Sequence, residues 1–529
     1  MKRDDCFAAA LLGLLVVIFF WDSIFAGKIF CMRDMFFDYV PWRDFARQAI
    51  SEGHFPLWNS CSSLGQPFMA EPQTAILYPF SLFHYTLSMK WALKINLIFH
   101  MLVASVSIYF LMRRWTFDVV PSILTAICFS FNTYMVAQME YAIFTTVCWT
   151  PLVFLATVLL IEKVRLFRKE NQYCNIKLFI PEICFLTVVL SVQFLSGYIQ
   201  AFLYTLIMLF IYITINSLFL KDIKHFIHSI FLFMLSCVFT MGIVMVQVLL
   251  TWENIAMSIR SGLFDPGLKM ASLHPIYFFS SLAPFLFGRP GYPDQWLTNF
   301  TVFEFWIGTF YIGILPLIII SILPFRKLQE KNDSKKQKFV ALLFFCLVTI
   351  FFGLIMSFGE YTPIYYIFFK YFPLFNILRW PSKFLFLVVF AASILTGLGY
   401  QRLSNRITNG KINKIIFYPL IFWALCFFFL CFMCLYPDIY SGMISSLLRV
   451  PMPFMNHFVP NAINELHSAV LFTGLSIAVV AFLIFSKSSL IWLAHILIIA
   501  VVFTNLALVG RDIHYIADDD IYSGKPPFV

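Results

Sequence analysis

Acids, bases and aromatic residues crowd into three stretches of an otherwise apolar chain. The first holds Arg33, Asp34, Asp38, Arg43, Asp44, Arg47, Glu52, His54 and Glu71. The second, TWENIAMSIRSG, holds Glu253 and Arg260, and the third, FGEYTPIYYIFFKYFPLFNILRWPSKF, holds Glu360, Lys370, Arg379 and Lys383. A carboxylate at a lipid boundary is partly desolvated, which makes it a better proton acceptor. A guanidinium fork binds phosphate oxygens in a fixed plane, and an ammonium does so as a point charge. Asp34 and Asp38 stand one helical turn apart, so both can face one site if that stretch is helical. Such a pair leaves a divalent cation open, held through oxygen ligands, although nothing in the sequence fixes the remaining ligands. Any one of these charges taken alone reads more simply as a solvated loop group.

The elements that must position them are membrane spans. The chain has 529 residues, 61% of them hydrophobic and 12% charged, with 66 phenylalanines. Soluble domains carry about 25% charged residues, so this composition describes a polytopic helical membrane protein. Apolar runs place about thirteen spans of roughly 20 residues near 7–26, 91–112, 118–137, 143–161, 178–197, 200–219, 227–249, 305–324, 338–357, 383–401, 415–435, 467–485 and 490–510. The first run follows a basic start but lacks a small-residue cleavage site, so it reads as a retained span and not a cleaved signal.

Lysine and arginine set the orientation. With Lys2 and Arg3 inside, the alternating loops MRRW, EKVRLFRKENQYCNIK, LKDIKHFIH, PFRKLQEKNDSKKQK, QRLSNRITNGKINK and SKSS all fall on the same inner side. The formal charge of +10 is thereby explained as cytoplasmic-loop charge, and a nucleic-acid partner is not called for. The outer side receives 27–90, 250–304, 358–382, 436–466 and 511–529. Within them TAILYPFSLFHYTL and PIYFFSSLAPFLF are too short or too proline-broken to span, and read as interfacial or re-entrant helices. WRDFARQAISEGHFP reads as an amphipathic helix stopped by Gly53 and Pro56. No internal repeat and no low-complexity linker appears, so residues 1–510 form one integral domain and 511–529 a short outer tail.

Most of the twelve cysteines lie inside apolar runs, where small apolar packing is the simpler role. Cys31 and Cys61 flank the first outer loop and could pair in an oxidising compartment. Trp42, Trp58, Trp252, Trp296 and Trp380 sit at span boundaries as belt anchors, with stacking on a sugar ring open to one or two of them. His54 and His274 read as interfacial polar residues.

RDMFFDYVPW, GHFPLWNSCSSLGQPFMAEPQTAILYP, SGYIQAFLY, QVLLTWENIAMSIRSG and FGEYTPIYYIFFKYFPLFNILRWPSKFLFL follow one another in the order found in YfhO-like bacterial membrane proteins, and from about residue 7 to about residue 400 the chain resembles that family. The resemblance implies the GT-C class of integral-membrane glycosyltransferases, an all-α polytopic bundle of the bacterial cytoplasmic membrane with its active site on the extracytoplasmic face. It implies a catalytic carboxylate in the first outer loop and a sugar donor carried on a polyprenyl phosphate. The acceptor would be a cell-envelope glycan or lipid. Asp34, seven residues before Pro41, matches the family's leading Asp, while Asp38 stands where relatives more often have Gln. Ser258 and Arg260 match an S-x-R, Arg379 and Pro381 an R-x-P, Glu71 and Gln73 a P…Q…YP stretch, and Gly197 with Gln200 a G-x-x-Q. Tyr198 takes a place where relatives often carry His. Many relatives also continue beyond the position of GKPPFV into a further outer domain.

On that footing Asp34 is the base, with Asp38 beside it. Arg260 and Arg379 clamp the departing phosphate, with Lys383 as a further cation. Glu71, Gln73 and Gln200 contact substrate. Glycosyl transfer from a lipid phosphate needs such a set: a carboxylate to take the acceptor proton or steady the sugar cation, and cations for the leaving group. A lipid or polysaccharide transporter is the alternative, as is a non-catalytic envelope-assembly scaffold. A transporter calls for paired charges at mid-membrane and inverted repeats, and the spans here are nearly charge-free.

Overall fold

The computed structural model describes the chain apart from residues 1–2, 32–33, 63, 170–174, 258–271, 287–307, 324–332, 372–374, 376–379, 409–416, 449–451, 487 and 523–529. Among the described residues, eleven helices are long and apolar enough to cross a membrane, from Met89–Arg114 to Ile491–Arg511. The chain is an all-helical multi-pass membrane protein. Of the thirteen spans expected, two coincide with shorter helices. The run near 7–26 is a helix at Arg3–Phe19 followed by a short one at Trp21–Phe25. The run near 305–324 contains the helix Ile314–Ser321, preceded by irregular chain at 309–313.

Burial sorts the helices into a centre and a rim. Every residue in the apolar window of Pro381–Asn405 is buried, whereas only 11% of the window of Phe417–Leu435 is. Apolar side chains such as Ile227, Phe231, Val238 and Leu249 on the helix Ile223–Ala256 stand exposed. In a bilayer that is the lipid face, because lipid tails are as apolar as the core. The central helix comes close to its neighbours through small residues. A Cβ on Gly397 would fall 2.2 Å from the Thr125 hydroxyl oxygen and 3.1 Å from the Pro121 carbonyl oxygen. Gly397→Val is therefore expected to destabilise by about 1–3 kcal/mol through overpacking, read as a lower Tm in detergent. Gly242, with nothing within 4 Å of its would-be Cβ, is the control: Gly242→Ala should be neutral or stabilising by up to about 1 kcal/mol of helix propensity.

The C-terminal tail is tied to the first loop. Strand Lys28–Cys31 pairs antiparallel with Tyr515–Asp518, with Lys28 opposite Asp518. Lys28 Nζ donates to Asp518 at 2.7 Å, and Lys90 and Lys94 both donate to Asp519, at 3.3 and 2.7 Å. His514 is buried with Nε2 2.6 Å from the Val136 carbonyl oxygen. The proline-broken outer stretches form short turns, not spans: Pro72–Thr74, Pro79–Ser81, Leu82–Thr86 and Pro275–Ser281. Cys61 carries a free thiol, so the pairing with Cys31 set out above is not formed.

Candidate functional site

The first loop folds so that its acids part company. Asp34 immediately precedes a five-residue π-turn, Met35–Tyr39, which leads into the helix Val40–Ser51 with Pro41 in its first turn. Wide turns of this kind are rare and concentrate at functional sites. Asp34 is half-buried, while Asp38 is exposed. The two carboxylates thus differ in exposure although one turn separates them. Among the described residues no group of three His, Cys, Asp or Glu side chains is arranged to hold a metal ion.

Tyr39, at the end of the same turn, is buried and bridges the loop to the bundle. Its hydroxyl donates to Gln73 Oε1 at 2.6 Å and accepts from the Ala142 backbone N–H at 3.2 Å. Burial, with the negative fields of Asp34 and Glu71, holds the phenol above its ordinary pKa, against the pull of the Ala142 N–H. It thus remains a proton donor through the alkaline range. Glu71 caps the turn Pro72–Thr74 and accepts from the Gln73 backbone N–H at 3.3 Å. This turn sits on Gly197, whose φ of +108° and close approach admit no side chain: a Cβ there would lie 2.8 Å from the Pro72 carbonyl oxygen. From the other side the loop is held by Gln247 and Thr251, which donate to the carbonyls of Met69 and Ala70 at 2.9 and 3.0 Å. Tyr39→Phe removes one donor and one acceptor from this bridge and should cost about 1–3 kcal/mol, measured as a fall in Tm.

The bridge brings the first loop to Lys383. This lysine is only 7% exposed, although it lies at the N-terminal end of the central helix. Its Nζ donates to the Tyr198 hydroxyl at 2.6 Å and sits 4.4, 5.4 and 5.9 Å from the ring centroids of Tyr198, Tyr141 and Trp380. Three aromatic faces around one ammonium make a cation–π cage. The carboxylates whose fields reach it are Asp34 and Glu140, and Glu140 is 1% exposed. The backbone is pinned as well, since Tyr134 donates to the Lys383 carbonyl oxygen at 3.2 Å. Trp380 reaches the cage through a left-handed backbone, φ +66°, a conformation that costs energy for a large residue. Gln200 Nε2 donates to Tyr204 at 2.5 Å, and Tyr204 stacks on Phe384 with ring centroids 3.9 Å apart.

The structure thus gathers Asp34, Glu71, Gln73, Gln200 and Lys383 around one boundary centre and leaves Asp38 outside it. Arg260 and Arg379 lie outside the described residues, as does Trp296. Glu140, Tyr39 and Tyr141 join the centre without having been singled out from the sequence. The signal for Glu140 was an acid in the five-residue turn between two apolar runs, overlooked because the long loops held more charge.

Comparison with known proteins finds no matching family model, no matching curated protein and no matching solved structure.

Proposed function

We propose that this chain is a GT-C-class glycosyltransferase of the bacterial cytoplasmic membrane, crossing it thirteen times and acting on the extracytoplasmic face. It would move a sugar from a polyprenyl-phosphate donor to a cell-envelope glycan or lipid. The observation that carries this reading is the burial of Lys383 at the end of the central helix, hydrogen-bonded to Tyr198 and surrounded by three aromatic rings, with Asp34 close enough to act on it electrostatically. The identity of the donor rests on the resemblance of the loop sequences described above. In this reaction Asp34 takes the proton of the acceptor hydroxyl as its oxygen bonds to the anomeric carbon. The bond from that carbon to the phosphate oxygen breaks, and polyprenyl phosphate leaves against Lys383, with Arg260 and Arg379 as further cations. Glu71, Gln73 and Gln200 line the approach.

The crossing number has its own support. The pairing of residues 28–31 with 515–518 puts both on one face of the membrane, so an even number of crossings separates them. The eleven long helices, all between these strands, are an odd number. The segment 308–323 supplies the twelfth, and the helix Arg3–Phe19 ahead of the strand supplies the thirteenth. The cytoplasmic placement of the N-terminus follows from the lysines and arginines of the alternating loops.

One observation favours the second reading, a transporter of phosphate-bearing lipid. The helix running from Val119 breaks at Phe131, Asn132 recaps its continuation, and the non-helical chain at 309–313 pairs with the break. Thr133 N–H donates to the Tyr311 carbonyl at 3.0 Å and Tyr311 N–H to the Thr133 hydroxyl at 2.8 Å. Discontinuous helices of this kind line transport sites. Incubating membranes containing the chain with a panel of radiolabelled polyprenyl-phosphate sugars separates the two. Label appearing in an envelope acceptor, above membranes without the chain, supports the transferase; label that crosses the membrane while still on its polyprenyl phosphate supports the transporter.

A further inference from the structure

At the opposite ends of the helices that carry the Lys383 centre lies a cavity of about 310 Å³. Asn405, on its wall, is 22 residues along the chain from Lys383, which at 1.5 Å per residue is about 33 Å. That is about the thickness of a bilayer's hydrocarbon core, so the cavity opens at the other membrane face. It lies where the basic loops meet the bundle.

Its wall carries two carboxylates, Asp118 and Glu162, and two cations, Arg165 and Lys338, and they are unevenly paired. Glu162 is already engaged, accepting from Arg114 Nε at 2.6 Å and lying 3.5 Å from Lys338 Nζ. Asp118 accepts from the Gln401 side-chain amide. Arg165, half-buried on the same wall, makes no ion pair among the described residues. Holding a guanidinium part-way out of water without a carboxylate costs desolvation that an oxyanion ligand would offset. The side-chain amides of Asn216 and Asn405 add donors beside it. Trp115, hydrogen-bonded to Tyr212 at 3.1 Å, gives the cavity an apolar wall. An arginine fork, a lysine and amide donors around a space of this size suit a single phosphate group with a small substituent, and cationic pockets between helices at this depth receive lipid headgroups.

We propose that this cavity binds a phosphate monoester, with Arg165 as its fork and Lys338 as its second cation. The phosphate can come from a lipid headgroup of the adjoining leaflet or from a water-soluble ester, and its binding does not depend on the reaction proposed for the opposite face.

The test is equilibrium binding to the full chain purified in dodecyl maltoside. The probes are dioleoyl phosphatidic acid in mixed micelles, glycerol 3-phosphate in solution, and dioleoyl phosphatidylcholine as the diester control. Saturable binding of phosphatidic acid or glycerol 3-phosphate is expected, weakened about tenfold or more in Arg165→Gln and less in Arg165→Lys. A preference of at least about tenfold for phosphatidic acid assigns the lipid source, and equal affinity assigns the soluble one. Arg165 gives up no ion pair among the described residues, so Arg165→Gln without probe should melt at the parent temperature. Phosphatidylcholine bound as tightly as phosphatidic acid would overturn the proposal. So would no saturable binding of either ester, or unchanged affinity in Arg165→Gln.

Discussion

Lys383→Met is expected to lose both stability and transfer. The lysine is 7% exposed, and the fields of Asp34 and Glu140 converge on it. Methionine matches its length but removes the positive charge from a poorly solvated site on which two carboxylates act. Removing one partner from a buried ionic cluster costs about 3–5 kcal/mol, enough for a clear fall in Tm. Loss of the positive charge facing the leaving phosphate should lower the transfer rate by a further factor of about 10²–10³. Adding Glu140→Gln removes one of the stranded charges. The double variant should regain much of the stability and none of the transfer, measured by melting and by initial rate on the same preparation. A rate that recovered in step with Tm would make Lys383 a structural residue and nothing more.

Asp34→Asn carries the second large effect. Asparagine keeps the shape of the side chain at the head of the π-turn and takes away its ability to accept the acceptor's proton. Losing a general base costs about 10²–10⁴ in rate. Stability should fall less than in Lys383→Met, because the residue is half-buried at a loop and is one of two carboxylates acting on Lys383. Asp38→Asn is the matched control. Its carboxylate is exposed, and surface substitutions of that kind stay within about 0.5 kcal/mol, so transfer should persist.

What the sequence disclosed and what it withheld divide along a physical line. The spans were legible because about 20 apolar residues in a row have little alternative to crossing a bilayer. The helix Val40–Ser51 was legible as an amphipathic stretch stopped by Gly53 and Pro56, with Gly53 observed at φ +79°. Two of the runs expected to span, near 7–26 and 305–324, hold shorter helices, one broken at Phe20 and one starting only after Gly313. Apolar runs do not reveal such breaks. The pairing of Lys28–Cys31 with Tyr515–Asp518 joins residues almost 500 positions apart, and no local signal predicts it.

The site shows the same division. Asp34 and Lys383 were singled out because charge beside lipid is conspicuous. Their partners were not, because Tyr39, Tyr141 and Glu140 look like ordinary boundary residues until the fold brings them together. Tyr198 stood where a histidine was expected, which seemed to remove a proton carrier. In the structure it has a task of its own, accepting from the Lys383 ammonium and covering it with its ring. Asp38 marks the reverse case: the four-residue spacing from Asp34 suggested a shared site, and the π-turn leaves it exposed.

The most direct measurement compares radiolabelled sugar transfer from polyprenyl-phosphate donors in membranes holding equal amounts of the parent chain or of Asp34→Asn. The account predicts transfer by the parent that drops by at least about 10²-fold in the variant. Equal transfer by both would contradict it.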